Sequence, residues 1–321
     1  MSLVKRILDA VAGQERRGGR NWRVGKIAGG AMLAASLLFL IYAVYAGRDT
    51  LLVYSRHLNW WLLAAALLLY PLGFVPVLWG WHVTMGRIGG CQDMRANVRL
   101  YSLSCLPKRI PGSIWYIASR VALYREHHVG STITLAATAM ETVLLILSGL
   151  SIYLLSLAVR PVELDPRLSG VAIVCFMLVL AAPKWAPLLH RGLRQLLARM
   201  GTPIPVELHP TDVLRLLGIS GLAWVGGGLV LYILANAVTT VPLGDLPILV
   251  GDWGAAGAIG LTAGLLVHGM GLREVTLAVL LSSYMPLSVA VVVSLLFRLL
   301  LTGGEFIWAL IFAWLAARLP K

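Results

Sequence analysis

Long apolar segments separated by short charged loops recur along this chain and restrict it to a membrane-embedded fold. Hydrophobic residues make up 59% of the 321 residues and charged residues only 13%, about half the share of a soluble domain. So few polar side chains could not cover soluble domains of this size, which excludes soluble-enzyme functions. The sequence predicts an all-α polytopic membrane protein.

Six segments are long enough to span a bilayer, because a helix needs about 20 apolar residues to cross about 30 Å of hydrocarbon. They are approximately 27–47, 60–85, 131–158, 168–189, 213–240 and 286–317. The last segment is long enough to tilt or to break at Gly303 and Gly304. Regions 94–130 and 248–285 are apolar but interrupted by Pro, Gly and ionisable residues, and we predict two re-entrant or broken helical hairpins there.

The basic residues predict the orientation, because cytoplasmic loops retain Lys and Arg. Most of the 27 basic residues lie in four regions, 1–26, 87–125, 184–215 and 318–321. We therefore expect a multi-pass protein of a bacterial or archaeal cytoplasmic membrane, with both termini in the cytoplasm. Both flanks of 94–130 would then face the cytoplasm, as the flanks of a re-entrant hairpin do. The net charge of +13 is thereby explained without a nucleic-acid partner.

The domain organisation follows from these segments. We predict a basic cytoplasmic arm, 1–26, followed by one transmembrane domain, 27–321. The first apolar run is of full spanning length, so no cleavable signal is expected. The cysteines match neither a disulfide framework nor a zinc site, and no cofactor or metal is expected. They are Cys91, Cys105 and Cys175.

The transmembrane domain divides into halves, 27–160 and 161–321, each with two spans, an interrupted region and a long final span. Ser131 lies ten residues before Glu141, and Ser288 lies ten before Arg298. We therefore predict a 3+3 inverted repeat, the architecture in which transporters build a substrate site from broken helices. Glu141 and Arg298 occupy equivalent positions, and we expect them to form an ion pair between the halves, in either a structural or a substrate-binding role.

Two motifs could bind an anion at the interrupted regions. The first is a basic turn with Pro at a helix start, where free backbone N–H groups attract phosphate; snorkelling basic residues at an interface are its alternative. The second is a Gly-rich break with an adjacent Arg-Glu pair, for which an ordinary surface loop is the alternative. Candidate substrate-binding residues are Lys108, Arg109, Pro111, Gly112, Trp115, Arg120, Glu141, Gly269, Gly271, Arg273, Glu274 and Arg298.

A glycine series also repeats at helical spacing in the second interrupted region. Such a series is typical of close helix contact in membranes rather than of a nucleotide-binding loop. Its members are Gly251, Gly254, Gly257, Gly260 and Gly264.

The motifs and their order resemble the flippase-like family named after the transmembrane region of lysylphosphatidylglycerol synthases. The resemblance covers most of the chain after residue 26. It rests on Pro111-Gly112 with Trp115, Arg120, Glu141, Ser148-Gly149, Gly269-x-Gly271-x-Arg273-Glu274 and Arg298. Where the family often has Pro-Gly-Gly, this chain has Val267-His268-Gly269. This sequence contains no soluble aminoacyl-transferase segment, so we expect a stand-alone member, and lysyl-lipid synthesis is not implied.

The resemblance implies movement of a lipid: aminoacylated phosphatidylglycerol in the fused enzymes, and polyprenyl-linked sugars, hopanoid-related or other lipids in stand-alone members. We expect a flippase, not an enzyme, that translocates an anionic phospholipid or a polyprenyl-phosphate-linked glycolipid. Arg120, Arg273 and Arg298 are the expected headgroup contacts. A Walker A motif is absent, so a gradient or consumption of the product would drive transport. The alternatives are an intramembrane lipid-phosphate transferase and an accessory membrane subunit that holds a glycosyltransferase or lipid-modifying enzyme.

Overall fold

The computed structural model describes residues 38, 42, 45, 58–88, 91–109, 114–157, 166–181, 184–185, 187, 191, 209–267 and 271–318. Its main elements are α-helices joined by turns, and this part of the chain contains no strand. The helices are α1 (Trp60–Leu69), α2 (Pro71–Ile88), α3 (Met94–Cys105), α4 (Ile114–Glu126), α5 (Ser131–Leu157), α6 (Pro166–Leu180), α7 (Pro210–Val238), α8 (Leu246–Val267), α9 (Leu272–Leu281) and α10 (Leu287–Arg318).

Five helical stretches are long and apolar enough to cross a membrane, as expected of a multi-pass membrane protein. They are Trp60–Ile88, Ser131–Leu157, Pro210–Val238, Leu243–Gly264 and Leu287–Arg318. Four match predicted spans, and the last continues through Gly303 and Gly304 without a break. The remaining stretch, Leu243–Gly264, lies largely in region 248–285, which the sequence analysis described as interrupted.

The two other predicted spans are described only in part. Of 27–47, only residues 38, 42 and 45 are among the described residues. Of 168–189, the structure describes the helix α6, Pro166–Leu180, and a few residues beyond it.

Region 94–130 folds as two short antiparallel helices, α3 and α4. Ser119 donates to the carbonyl of Ser104 at 3.2 Å, while Tyr124, one turn further on, donates to Asn97 at 2.8 Å, so the second helix runs back along the first. At about 1.5 Å per residue, each helix is about 18 to 20 Å long, too short to cross about 30 Å of hydrocarbon. This geometry suits a hairpin that enters and leaves on one side.

Region 248–285 is also a helical hairpin, but its arms are unequal. The 22-residue helix α8 precedes the 10-residue helix α9, and the two pack against each other. Gly271 begins the second arm at a φ of 91°, a left-handed conformation that favours glycine. The first arm is therefore long enough to span, whereas the second is not.

Helices α2 and α7, the second spans of the two halves, pack antiparallel at the centre. Gly73 lies against Gly227, Gly80 against Ile219, and Arg87 pairs with Asp212 at 3.1 Å. Small residues let these backbones approach closely.

The predicted glycine contact face is confirmed on α8. A Cβ on Gly254 would lie 2.6 Å from the carbonyl oxygen of Gly149 on α5, and a Cβ on Gly251 or Gly257 would overlap Ser156 or Trp224. Three members of the predicted series thus bring α8 close to helices of both halves.

Single cysteines at positions 94 and 130, in a chain whose natural cysteines are replaced by serine, should label from the same face of an intact membrane. Both positions are exposed, and the hairpin returns the chain to the side on which it began. A cysteine at the exposed Leu243 should label from the opposite face. Helix α7 begins beside Arg87, near position 94, and ends at Val238, shortly before Leu243. Labelling of positions 94 and 130 from opposite faces by an impermeant maleimide would contradict the re-entrant arrangement.

Candidate functional site

Arg120, near the middle of α4, is enclosed by protein and only 2% exposed. Its Nη1 lies 2.7 Å from Oε2 of Glu141, and its Nε donates to Oγ of Ser104 at 3.2 Å. The guanidinium carbon stacks 4.1 Å from the ring centre of Trp81 and 4.2 Å from that of Tyr101. Carboxylate, hydroxyl and aromatic faces together replace the water that an arginine needs.

A hydrogen-bond chain continues from this cluster. Trp81 donates from its indole nitrogen to the Tyr124 hydroxyl at 2.6 Å, and that hydroxyl donates to Oδ1 of Asn97 at 2.8 Å. Nδ2 of Asn97 lies 3.0 Å from Nδ1 of His82. Tyr101 donates to the second oxygen of Glu141 at 2.7 Å. These bonds connect α3 and α4 to α2 and α5.

The second half contains a matching ion pair. Nη1 of Arg298 on α10 lies 3.3 Å from Oε1 of Glu274 on α9, and Ser294 donates to the backbone carbonyl of Glu274 at 2.8 Å. In both halves, a charge on the short returning helix pairs with the opposite charge on the next long helix.

The predicted pair between Glu141 and Arg298 is wrong. Each of these charges is neutralised within its own half, by Arg120 and by Glu274 respectively. Each short helix places a counter-ion beside the long helix that follows it, so neither Glu141 nor Arg298 needs a partner in the other half. The long helix carries the acid, Glu141, in the first half and the base, Arg298, in the second half.

A cavity of about 190 Å³ lies where the two halves meet. From the first half, Tyr70, Phe74, Tyr101 and Leu145 border it. Trp224, Gly227, Trp253, Arg273, Leu301 and Glu305 border it from the second half. Two ionisable side chains of opposite sign, Arg273 and Glu305, therefore face one space between apolar helices.

Local structure brings Arg273 to this cavity. Gly271 caps the start of α9 two residues before Arg273. A Cβ on Gly260 would lie 2.8 Å from the Cβ of Arg273, so Gly260 lets α9 approach α8. The guanidinium carbon stacks 3.9 Å from the ring centre of Trp253. The Trp253 indole in turn lies against Gly227 on α7, where a side chain would exclude it. Close packing around glycines thus orients the cavity arginine.

Glu305 was missed by the sequence analysis, although it interrupts the apolar span of α10. It is 4% exposed and follows Gly304, against which the Tyr70 ring packs. Asp252 on α8, fully buried, was missed in the same way and accepts a hydrogen bond from the Tyr284 hydroxyl at 2.8 Å. An acid inside an apolar span was the available signal in both cases.

The structure separates the predicted site residues into groups. Arg273 borders the cavity, whereas Arg120, Glu141, Glu274 and Arg298 form the two ion pairs, and Gly271 begins α9. Pro111, Gly112 and Gly269 lie outside the described residues, as do the side chains of Lys108, Arg109 and Trp115. Within the described ranges, no cluster of three His, Cys, Asp or Glu side chains could hold a metal ion.

Neither a scan against protein-family models nor a search of curated proteins finds a match to this chain.

Proposed function

We propose that this protein is a lipid transporter that moves an anionic phospholipid or a polyprenyl-phosphate-linked glycolipid across the membrane. The observation that carries the proposal is Arg273, which borders a cavity between the two halves of a membrane-embedded helical protein. A guanidinium that faces a cavity inside a membrane protein can bind a phosphate in fork geometry.

The size of the cavity suits a headgroup rather than a whole lipid. The cavity has a volume of about 190 Å³. Sites that enclose a drug-sized ligand are larger, about 300 to 1,000 Å³. The acyl or prenyl chains would therefore stay in the bilayer while the headgroup exchanges its hydration for Arg273 and the aromatic rings around it.

The packing pattern supports the inverted repeat as part of this proposal. The second spans, α2 and α7, pack antiparallel on each other. Helix α5 of the first half packs on the first hairpin helix of the second, α8, and α10 packs in the same way on α3. Swapped contacts of this kind are expected when two repeats are related by an axis in the membrane plane. Rocking of one repeat against the other would open the cavity to each side in turn.

Arg120 takes a different part in this mechanism from the one the sequence suggested. Because its charge is paired with Glu141 and its faces are stacked on Trp81 and Tyr101, we propose that it positions the first hairpin. Tyr101 connects it to the cavity, since this residue both hydrogen-bonds Glu141 and borders the cavity. Among the described arginines, we assign headgroup contact to Arg273, because it borders the cavity. The family resemblance remains the second support for lipid movement.

Replacing Arg273 by Gln should slow lipid translocation by about tenfold or more, because a charge-assisted hydrogen bond contributes about 1.5 to 3 kcal/mol. The Lys variant should be intermediate, since it keeps the charge but loses the fork. The measurement uses reconstituted vesicles with fluorescent phosphatidylglycerol or a fluorescent polyprenyl phosphate, bleached from outside by an impermeant reductant.

The control is Arg125→Gln, an exposed arginine at the end of α4, which should transport at the wild-type rate. Fluorescent phosphatidylcholine tests whether the anionic headgroup is selected. If neither anionic probe moves faster than in protein-free vesicles, the transporter proposal fails. Recovery of a chemically altered lipid would instead support the transferase alternative.

A further inference from the structure

The indole of Trp253, on α8, borders the cavity between the halves and is 6% exposed. An indole has one polar group, the ring N–H, and a buried tryptophan usually has an acceptor for it. Trp224 donates to the backbone carbonyl of Leu145 at 3.0 Å, and Trp308 donates to that of Leu67 at 3.0 Å. Trp253 departs from this pattern, because its N–H has no acceptor among the residues that the structure describes.

The Trp253 nitrogen remains open to the cavity. Within the described part of the chain, the polar side-chain atom that is sealed from solvent without a hydrogen-bond partner is Oγ of Ser102, so the Trp253 nitrogen is not sealed. Its N–H edge lies against Gly227 on α7, which also borders the cavity. A Cβ at position 227 would overlap this nitrogen. The glycine therefore leaves space at the one polar atom of the indole.

Neighbouring side chains fix the orientation of the Trp253 ring. Its centre lies 5.7 Å from that of Trp224 and 4.8 Å from that of Phe297, both in edge-to-face geometry. The guanidinium carbon of Arg273 lies 3.9 Å from the ring centre, on the ring face. The indole cannot turn towards another acceptor without losing these contacts. Its N–H is thus held in place as a donor at the cavity wall.

The two polar groups that meet at this wall both donate hydrogen bonds. Arg273 and Trp253 are in contact and border the same cavity, and neither a guanidinium nor an indole accepts a hydrogen bond. A ligand that binds there must therefore supply acceptor oxygens, and the guanidinium favours one with negative charge. A phosphate has both properties, whereas a quaternary ammonium group has neither.

We propose that the Trp253 N–H donates a hydrogen bond to a phosphate oxygen of the substrate, so that Trp253 is a headgroup-binding residue. This inference rests on the proposed function and adds an uncharged donor to the charged one, Arg273. Glu305 on α10 also borders the cavity. Because like charges repel, the phosphate would lie at the wall formed by α8 and α9. The rigid indole would fix the position of the phosphate against the guanidinium.

The test removes the N–H and keeps the shape of the ring. Benzothienylalanine, the tryptophan analogue in which sulfur replaces the ring N–H, is incorporated at position 253 by stop-codon suppression. Dihexanoyl phosphatidylglycerol is then titrated into the protein in detergent by calorimetry. Loss of a hydrogen bond to a charged group should weaken binding about tenfold or more. The denaturant midpoint of unfolding should not fall, because the N–H has no acceptor among the described residues in the ligand-free protein.

The same analogue at position 308 is the matched control. The Trp308 N–H donates to the carbonyl of Leu67, and Trp308 is not among the described residues that border the cavity. Its replacement should lower the denaturant midpoint and leave lipid affinity unchanged. Trp253→Phe, which also lacks the N–H and is made by ordinary mutagenesis, should bind the lipid at least as weakly as the analogue at position 253.

The outcomes separate this inference from the function on which it rests. If the analogue at position 253 leaves lipid affinity unchanged while Arg273→Gln weakens binding, the Trp253 donor is wrong and the transporter proposal stands. If dihexanoyl phosphatidylglycerol and a short polyprenyl phosphate both fail to bind the unmodified protein, the transporter proposal itself fails. Inorganic phosphate should bind about tenfold or more weakly than the lipid, since it has no acyl chains to bury. Equal affinity for inorganic phosphate would identify a site for free phosphate and overturn the lipid headgroup as its ligand.

Discussion

The single substitutions Arg120→Met and Glu141→Gln should each lower the free energy of unfolding by about 3 to 5 kcal/mol. Either change leaves the other charge enclosed without its counter-ion, which is the costliest way to break a buried pair. The double variant should lose less than the sum of the two single effects, by about 0.5 to 3 kcal/mol. Reversible unfolding in mixed micelles, followed by circular dichroism, measures all three free energies.

A second cycle serves as the control. Glu141→Gln and Arg298→Gln should combine additively, within about 0.3 to 0.5 kcal/mol, because these two residues pair with different partners. The exposed Arg125→Gln should change stability by no more than about 0.5 kcal/mol. Additivity in the Arg120 cycle, or coupling in the Arg298 cycle, would show that the ion pairs are arranged differently from those described.

The helices could be predicted from the sequence because spanning length is a local property. Apolar runs of about 20 residues, ended by charges and prolines, indicated α5, α7 and α10 within a few residues. The hairpin at 94–130 was predictable for the same reason, since interruptions and flanking charge lie close together in sequence. The glycine face of α8 was visible as helical spacing.

The partners of the ionisable residues could not be read in this way. Whether Glu141 pairs with Arg120 or with Arg298 depends on how α4 packs along α5. The number of residues that separate two charges in the sequence does not give that packing. Glu305 was overlooked because its significance arises only when α9 brings Arg273 to the same cavity. Charge-bearing positions were therefore largely recognisable, while the cavity that joins them required the fold.

At the contact between α2 and α7, one added methyl group should strongly destabilise the fold. A Cβ on Gly226 would overlap the backbone carbonyl of Leu72, and its neighbour Gly227 leaves room for the Trp253 indole at the cavity. The backbone at Leu72 cannot change conformation to relieve this overlap as a flexible side chain could. The two helices must therefore separate to admit even an alanine.

Gly226→Ala should consequently lower the free energy of unfolding by about 3 kcal/mol, at the upper end of what overpacking costs. Gly218→Ala on the same helix meets nothing within 4 Å, and there alanine should stabilise the helix by up to about 1 kcal/mol through its higher propensity. Unfolding in mixed micelles again gives both values.

Because α2 and α7 both border the cavity, Gly226→Ala protein that remains folded should also transport lipid more slowly, whereas Gly218→Ala should transport at the unmodified rate. Equal stability of the two variants would mean that α2 and α7 do not touch at Gly226, and the cavity between the halves would then have a different shape.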